Sequence, residues 1–182
     1  DILDVQPQGY ASQIYDADGN LMQTLVMEGS NREEVSFDQL PDDLVNAFIA
    51  IEDSRFYEHN GIDLKGIIRA GVKGIASGFK KTEGASTITQ QLLKNNVFTN
   101  WTNESTQVER FTRKLQEQYL AIEIEKKIND KNVILENYLN TINLGAGCYG
   151  VQAASKRYFN KDVSELTISE SAVIAAITQN PT

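Results

Sequence analysis

From Pro41 onward the apolar residues of this chain recur at helical spacing, and that pattern persists almost to the last residue. Leu44, Val45, Phe48, Ile49 and Glu52 share one stripe, with Pro41 and Asp42-Asp43 suited to the first turn of that helix. Further helices are predicted over Leu64 to Gly78, from about Ser86, over about 104–127, and over 131–142, 148–159 and 168–178. The longest carries Val108, Phe111, Leu115 and Ile122 on one stripe, and the last opens on the capping box Thr167-x-x-Glu170. Ahead of Pro41, alternation over 10–27 around Asp18-Gly19 predicts a β-hairpin. The expected fold class is mainly α with a short N-terminal β-hairpin. It is expected as a single domain over 1–182, with 1–40 as an N-terminal β segment and 41–182 as the helical region.

At 182 residues, 41% hydrophobic and 23% charged, the chain has the balance of a globular domain able to bury a core. One cysteine, Cys148, excludes an intramolecular disulfide and a multi-cysteine zinc site. No apolar run reaches transmembrane length and Asp1-Ile2-Leu3-Asp4 does not read as a signal peptide, so a membrane anchor is expected outside these residues. A net charge of −8 argues against nucleic acid as partner. Its distribution is uneven. Between Asp63 and Glu104 the acidic Glu83 faces Lys65, Arg69, Lys73, Lys80, Lys81 and Lys94, so that stretch carries about +5. Such an island suits a phosphate group or a lipid surface, and equally a solvated helix face.

Three segments carry candidate chemistry. Glu52 ends an apolar helix and opens Glu52-Asp53-Ser54-Arg55-Phe56-Tyr57-Glu58-His59-Asn60-Gly61. A carboxylate so placed is costly without a partner or a role, which fits a general base; a helix-terminal acidic pair facing water is the plainer reading. His59, the sole histidine, reads as a hydrogen-bonding strut. Gly84-Ala85-Ser86-Thr87-Ile88-Thr89-Gln90-Gln91-Leu92-Leu93-Lys94-Asn95 offers a helix N-terminus to an anion, with Gln90 and Lys94 on one face. It lacks the Gly-Lys-Ser/Thr ending of a phosphate loop. In Arg113-Lys114-Leu115-Gln116-Glu117 the first and last residues are i, i+4 neighbours, which alone reads as a surface ion pair.

Together, and in this order, these segments resemble the signature of the family 51 glycosyltransferases, the peptidoglycan polymerase domains of class A penicillin-binding proteins and their monofunctional relatives. Glu-Asp-x-x-Phe-x-x-His-x-Gly spans Glu52 to Gly61, Gly-x-Ser-Thr-Ile-Thr-Gln-Gln spans Gly84 to Gln91, and Arg-Lys-x-x-Glu spans Arg113 to Glu117. Ile-Leu-Glu-x-Tyr-Leu-Asn runs from Ile134 to Asn140, and a glycine-rich pattern from Gly145 through Ala153-Ala154 reaches Tyr158-Phe159. The resemblance covers the chain from about Pro41 to its end. Ala85, Asn143-Leu144 and Asn160 depart from the usual pattern, none at a position given a catalytic role. Gln179-Asn180-Pro181 resembles a motif inside the family's domain, so a C-terminal continuation is expected.

The resemblance implies a lysozyme-like helical fold with a small membrane-facing jaw lobe, at the extracytoplasmic face of the bacterial cytoplasmic membrane. It implies that lipid II joins a growing glycan strand with inversion, and that a transpeptidase domain lies outside these residues. Glu52 and Glu117 are the implied catalytic carboxylates, Glu52 as the base. Lys94, Arg113 and Lys114 are expected on the pyrophosphate beside Ser86 and Thr87, with Gln90, Gln91 and Asn95 on phosphate or sugar. Glu117 is expected to orient those cations or to hold a divalent cation (Mg or Mn); no cofactor is otherwise required. Glu136 is expected to be structural, in a buried ion pair. Leu64, Ile67, Ile68, Val72 and Ile75 set against Lys65, Arg69 and Lys73 describe either an interfacial helix or a core-packed one. A lytic transglycosylase or an inactive scaffold are the competing classes; the first has no use for a cationic pyrophosphate site, and the second predicts loss of Glu52 or Lys94.

Overall fold

The computed structural model describes residues 12–15, 18–19, 21–25, 32–76, 84–98 and 106–181. Strands β1 (Ser12–Tyr15) and β2 (Leu21–Leu25) pair antiparallel, Ser12 opposite Leu25, with a bulge at Ile14/Tyr15. Among the described residues seven α-helices follow: α1 (Asp42–Glu52), α2 (Leu64–Ala76), α3 (Ile88–Asn96), α4 (Gln107–Ile128), α5 (Lys131–Thr141), α6 (Val151–Phe159) and α7 (Ile168–Ile177). The outer ends of the expected hairpin, and Lys80, Lys81 and Glu83 of the basic stretch, lie outside the described residues.

Caps decide where these helices start. Thr87, Thr106 and Thr167 each accept from the backbone three residues on, and Gln90, Glu109 and Glu170 reach back to close the boxes. Helix α6 begins at Val151 rather than the expected 148, because Asn143 and Tyr149 bridge and Gly150 (φ +84°) turns the chain. A Cβ there would meet Asn140 O at 2.7 Å. At Gly61 (φ +90°) a Cβ would come within 2.6 Å of the Ala121 carbonyl, so a glycine lets the loop after Glu52 lie against the α4 backbone.

The core is one cluster. Phe48 of α1 meets Tyr138 of α5 edge to face at 6.2 Å, surrounded by the fully buried Leu44, Phe56, Ile88, Leu92, Leu135 and Leu139. Helix α7 packs along α1, while α3 lies against both α4 and α5. Helix α5 also ties down the preceding segment: Asn140 pairs with both backbone groups of Val35, and Glu136 accepts from Phe37 N at 2.7 Å. Glu136 is therefore structural through a backbone N–H, not through the expected ion pair.

Most of the sequence stripe on α4 faces outward, while Ile122 at its end is partly buried. Val108, Phe111 and Leu115 are exposed, and the inward face carries Glu117, Ala121, Ile124 and Glu125. The carboxylates there are paired: Glu125 accepts from Thr89 Oγ1 and meets Lys131 Nζ, each at 2.5 Å, and that ammonium sits 4.3 Å from the Phe56 ring centre.

One stability prediction arises here. Lys161 donates to both oxygens of Glu170 (2.8 and 3.0 Å), and this, ahead of the Thr167 N–H, holds the Glu170 carboxyl at about 2 against an ordinary 4.5. A depressed folded-state pKa means stabilisation that is full above about pH 4.5 and is lost as the pH falls through about 2. In urea titrations, the stability difference between wild type and Glu170→Gln is expected to shrink steadily from pH 5 to pH 2. A difference independent of pH would rule out this carboxylate as the source.

Candidate active site

Helix α1 ends where Asp53 leaves helical geometry and turns its side chain inward. Its carboxylate accepts from the Ile88 backbone N–H (3.1 Å) at the start of α3 and from His59 Nε2, 2.9 Å from both oxygens. His59 Nδ1 accepts from Gly61 N at 3.2 Å, which places the proton of the neutral ring on Nε2. The lone histidine thus acts as a strut, and the ends of α1 and α3 are locked together beside Glu52.

Glu52 is half-buried and accepts from three side chains. Gln91 Nε2 donates to Oε2 at 2.8 Å; Gln179 Nε2 (3.1 Å) and the Thr178 hydroxyl both donate to Oε1. Gln91 is itself oriented by the buried Tyr138, whose hydroxyl donates to Gln91 Oε1 at 3.3 Å. Burial, with smaller contributions from Glu52 and Asp53, pushes the Tyr138 phenol well above its ordinary range, so it remains a neutral donor.

The second segment divides into a buried half and an open half. Thr87 donates to Gly61 O (2.8 Å) and caps α3, while the Gln90 amide spans Thr87 N and Gly61 O, both at 3.4 Å. Gln90 is only 2% exposed. Thr87 and Gln90, expected on the phosphate, therefore build the turn instead. Ser86, Gln91, Lys94 and Asn95 are partly exposed.

Helix α4 brings the third segment to the same turn. Lys114 Nζ donates to Ser86 Oγ (3.0 Å) and to Glu117 Oε2 (2.8 Å), and Arg113 donates to Glu117 Oε1. Glu117 is fully buried, so the surface ion pair read from spacing is a buried cluster, and its carboxylate holds the two cations rather than lining the cleft at Glu52. Nor does it fit a divalent cation. Both oxygens are occupied by cationic donors, and among the described residues no group of three or more His, Cys, Asp or Glu side chains converges.

The open cleft, of about 550 Å³, is lined by Glu52, Arg55, Arg69, Lys73, Ser86 and Gln179; Lys94, Arg113 and Lys114 are not among its lining residues, and Lys114 reaches its edge through Ser86. Arg55 is paired with Asp63, whose carboxyl is held below the usual range first by that guanidinium. Arg69 and Lys73, read in the sequence as the polar side of an interfacial helix, thus face the cleft. Exposed Leu64, Ile68, Val72 and Ile75 form an apolar stripe on the same helix. Tyr138, Thr178 and Gln179 were not legible as site residues: the last two lie 126 and 127 positions from Glu52.

Residues 18–182 match the transglycosylase family. The chain is 45% identical over its whole length to penicillin-binding protein 1A of Clostridium perfringens. It is 48% identical over 94% of its length to penicillin-binding protein 1F of Bacillus subtilis, and 47% identical over 93% to penicillin-binding protein 1A of Clostridium acetobutylicum. These relatives are much longer, and the chain spans 26%, 22% and 21% of them respectively. A match that takes in every motif around the cleft, at such identity, shows that the chain belongs to the transglycosylase family of peptidoglycan glycosyltransferases.

Proposed function

We propose that this domain polymerises lipid II into glycan strands, with Glu52 as the general base. The observation that carries the reading is one half-buried carboxylate, fixed by three donors, on a cleft that also holds cations and the Ser86 turn. Glu52 takes the proton of the acceptor sugar's 4-hydroxyl. The freed oxygen pair bonds to the donor's anomeric carbon from the face opposite the pyrophosphate. The carbon–oxygen bond to pyrophosphate breaks, and its electron pair leaves on the phosphate oxygen. That leaving group needs charge stabilisation more than a strong acid. Lys94, Arg113 and Lys114 supply the charge, with Glu117 holding the last two in place from beneath.

A lipid-linked substrate requires an enzyme resting on a membrane. The exposed stripe of α2 and that of α4 (Val108, Phe111, Leu115, Tyr119) are the surfaces for it, the jaw of the domain at the extracytoplasmic face. No helix among the described residues is long and apolar enough to cross a membrane. The relatives are several times longer than this chain, and a transpeptidase domain is proposed elsewhere in the protein.

Incubation with labelled lipid II tests the reading: long glycan is expected, whereas cut glycan or unchanged substrate would overturn it. Arg113 and Lys114 both hold buried Glu117, so removing either also strips a partner from that carboxylate. Lys94→Met and Lys114→Met are each expected to weaken pyrophosphate-containing ligands by about 1.5–3 kcal/mol, the worth of a hydrogen bond to a charged group. Unchanged affinity in titrations of both would move the phosphate site elsewhere.

A further inference from the structure

A carboxylate offers two oxygens with two acceptor directions each. On Glu52, Oε1 has both filled, by the Thr178 hydroxyl and by Gln179 Nε2 at 3.1 Å. Oε2 has one filled, by Gln91 Nε2 at 2.8 Å, and one open. Resting on the reading of Glu52 as general base, we propose that Oε2 is the atom that receives the sugar hydroxyl proton, and that Thr178 and Gln179 are positioning residues that direct it there.

Thr178 is suited to more than holding. Its hydroxyl has one proton and two acceptors within reach, Glu52 Oε1 and Ala175 O at 2.8 Å. The hydroxyl proton goes to the carboxylate, the charged and stronger acceptor, while the Ala175 carbonyl, which also takes the Thr178 backbone N–H at 3.3 Å, keeps a second lone pair within reach. When the sugar O–H bond breaks and the Oε2–H bond forms, Oε1 becomes a weaker acceptor. The Thr178 proton then has the Ala175 carbonyl to turn to, so the rearrangement strands no donor. Both residues stand where α7 ends, and α7 packs along α1, so their aim is set by the same helix pair that carries Glu52.

The test separates hydroxyl from shape. Thr178→Val keeps the shape and removes the hydroxyl; Thr178→Ser keeps the hydroxyl and removes a methyl. In the lipid II assay, Thr178→Val is expected to lower kcat about ten- to a hundredfold, the loss of one hydrogen bond to a charged group, with KM within about twofold. Thr178→Ser is expected to restore most of the rate. Gln179 is exposed, so Gln179→Met folds irrespective of the fate of the valine variant, and a several-fold loss of kcat is expected from it as well. Unchanged kcat in either folded variant, or a serine variant as slow as the valine one, overturns the inference. Wild type and Glu52→Gln run alongside: a wild type that makes no polymer overturns the functional reading itself, whereas polymer from wild type and from Thr178→Val alike overturns this inference alone.

Discussion

Glu52→Gln is expected to lower glycan polymerisation by about 10²–10⁴-fold while the domain stays folded, since that is the usual contribution of a positioned base. The amide has no useful proton affinity, and the other carboxylates on the cleft wall, Asp53 and Asp63, are held by His59 and Arg55. Its structural cost is small. An amide oxygen placed at Oε1 still accepts from Thr178 and Gln179. Its NH₂ then faces Gln91 Nε2, and Gln91 must turn over, giving up its bond from Tyr138. One neutral hydrogen bond is worth about 1 kcal/mol, a few degrees of melting temperature in a domain of this size. A folded variant that keeps more than about a tenth of wild-type turnover would remove Glu52 from the role of base.

What the sequence could reveal was set by how local each signal is. Thr167-x-x-Glu170 specifies a helix start within four residues, and the structure has it. Thr87-x-x-Gln90 is the same kind of box, and that pattern already contained the correction: a glutamine three residues after a capping threonine is spoken for by the turn. Periodicity was less complete. It shows that Val108, Phe111 and Leu115 share a face of α4, but not which side of the helix the protein lies on. That side is settled by Ala121 and Ile124 packing inward and by Gly61 lying against the Ala121 carbonyl. Burial of Glu117 follows from this orientation, and i, i+4 spacing alone cannot distinguish a buried pair from an exposed one. Thr178 and Gln179 reach Glu52 only because α7 folds back along α1, a contact with no local trace in either segment.

The exposed stripe of α2 is where the second large effect is expected. Spacing alone left this helix divided between a membrane face and a core face, and the structure shows which of its residues are exposed. Leu64, Ile68, Val72 and Ile75 are 62–72% exposed, whereas Ile67 is partly buried and Gly66 and Gly74 face inward. Replacing the four exposed residues with serine should therefore leave the melting temperature within a few degrees of wild type. A fully buried aliphatic side chain contributes about 1.5–3 kcal/mol, so four in partial contact with lipid contribute several kcal/mol together, and vesicle or micelle binding should fall by about 10²-fold or more. Polymerisation of lipid II should fall with it, while a water-soluble pyrophosphate headgroup should still bind, because the cations proposed for it, Lys94, Arg113 and Lys114, stand on α3 and α4. The corresponding serine variant of Val108, Phe111 and Leu115 on α4 measures how the load divides between the two helices. A folded α2 variant with wild-type affinity for vesicles would sink the membrane role of this helix, and an unfolded one would show that the stripe packs against protein.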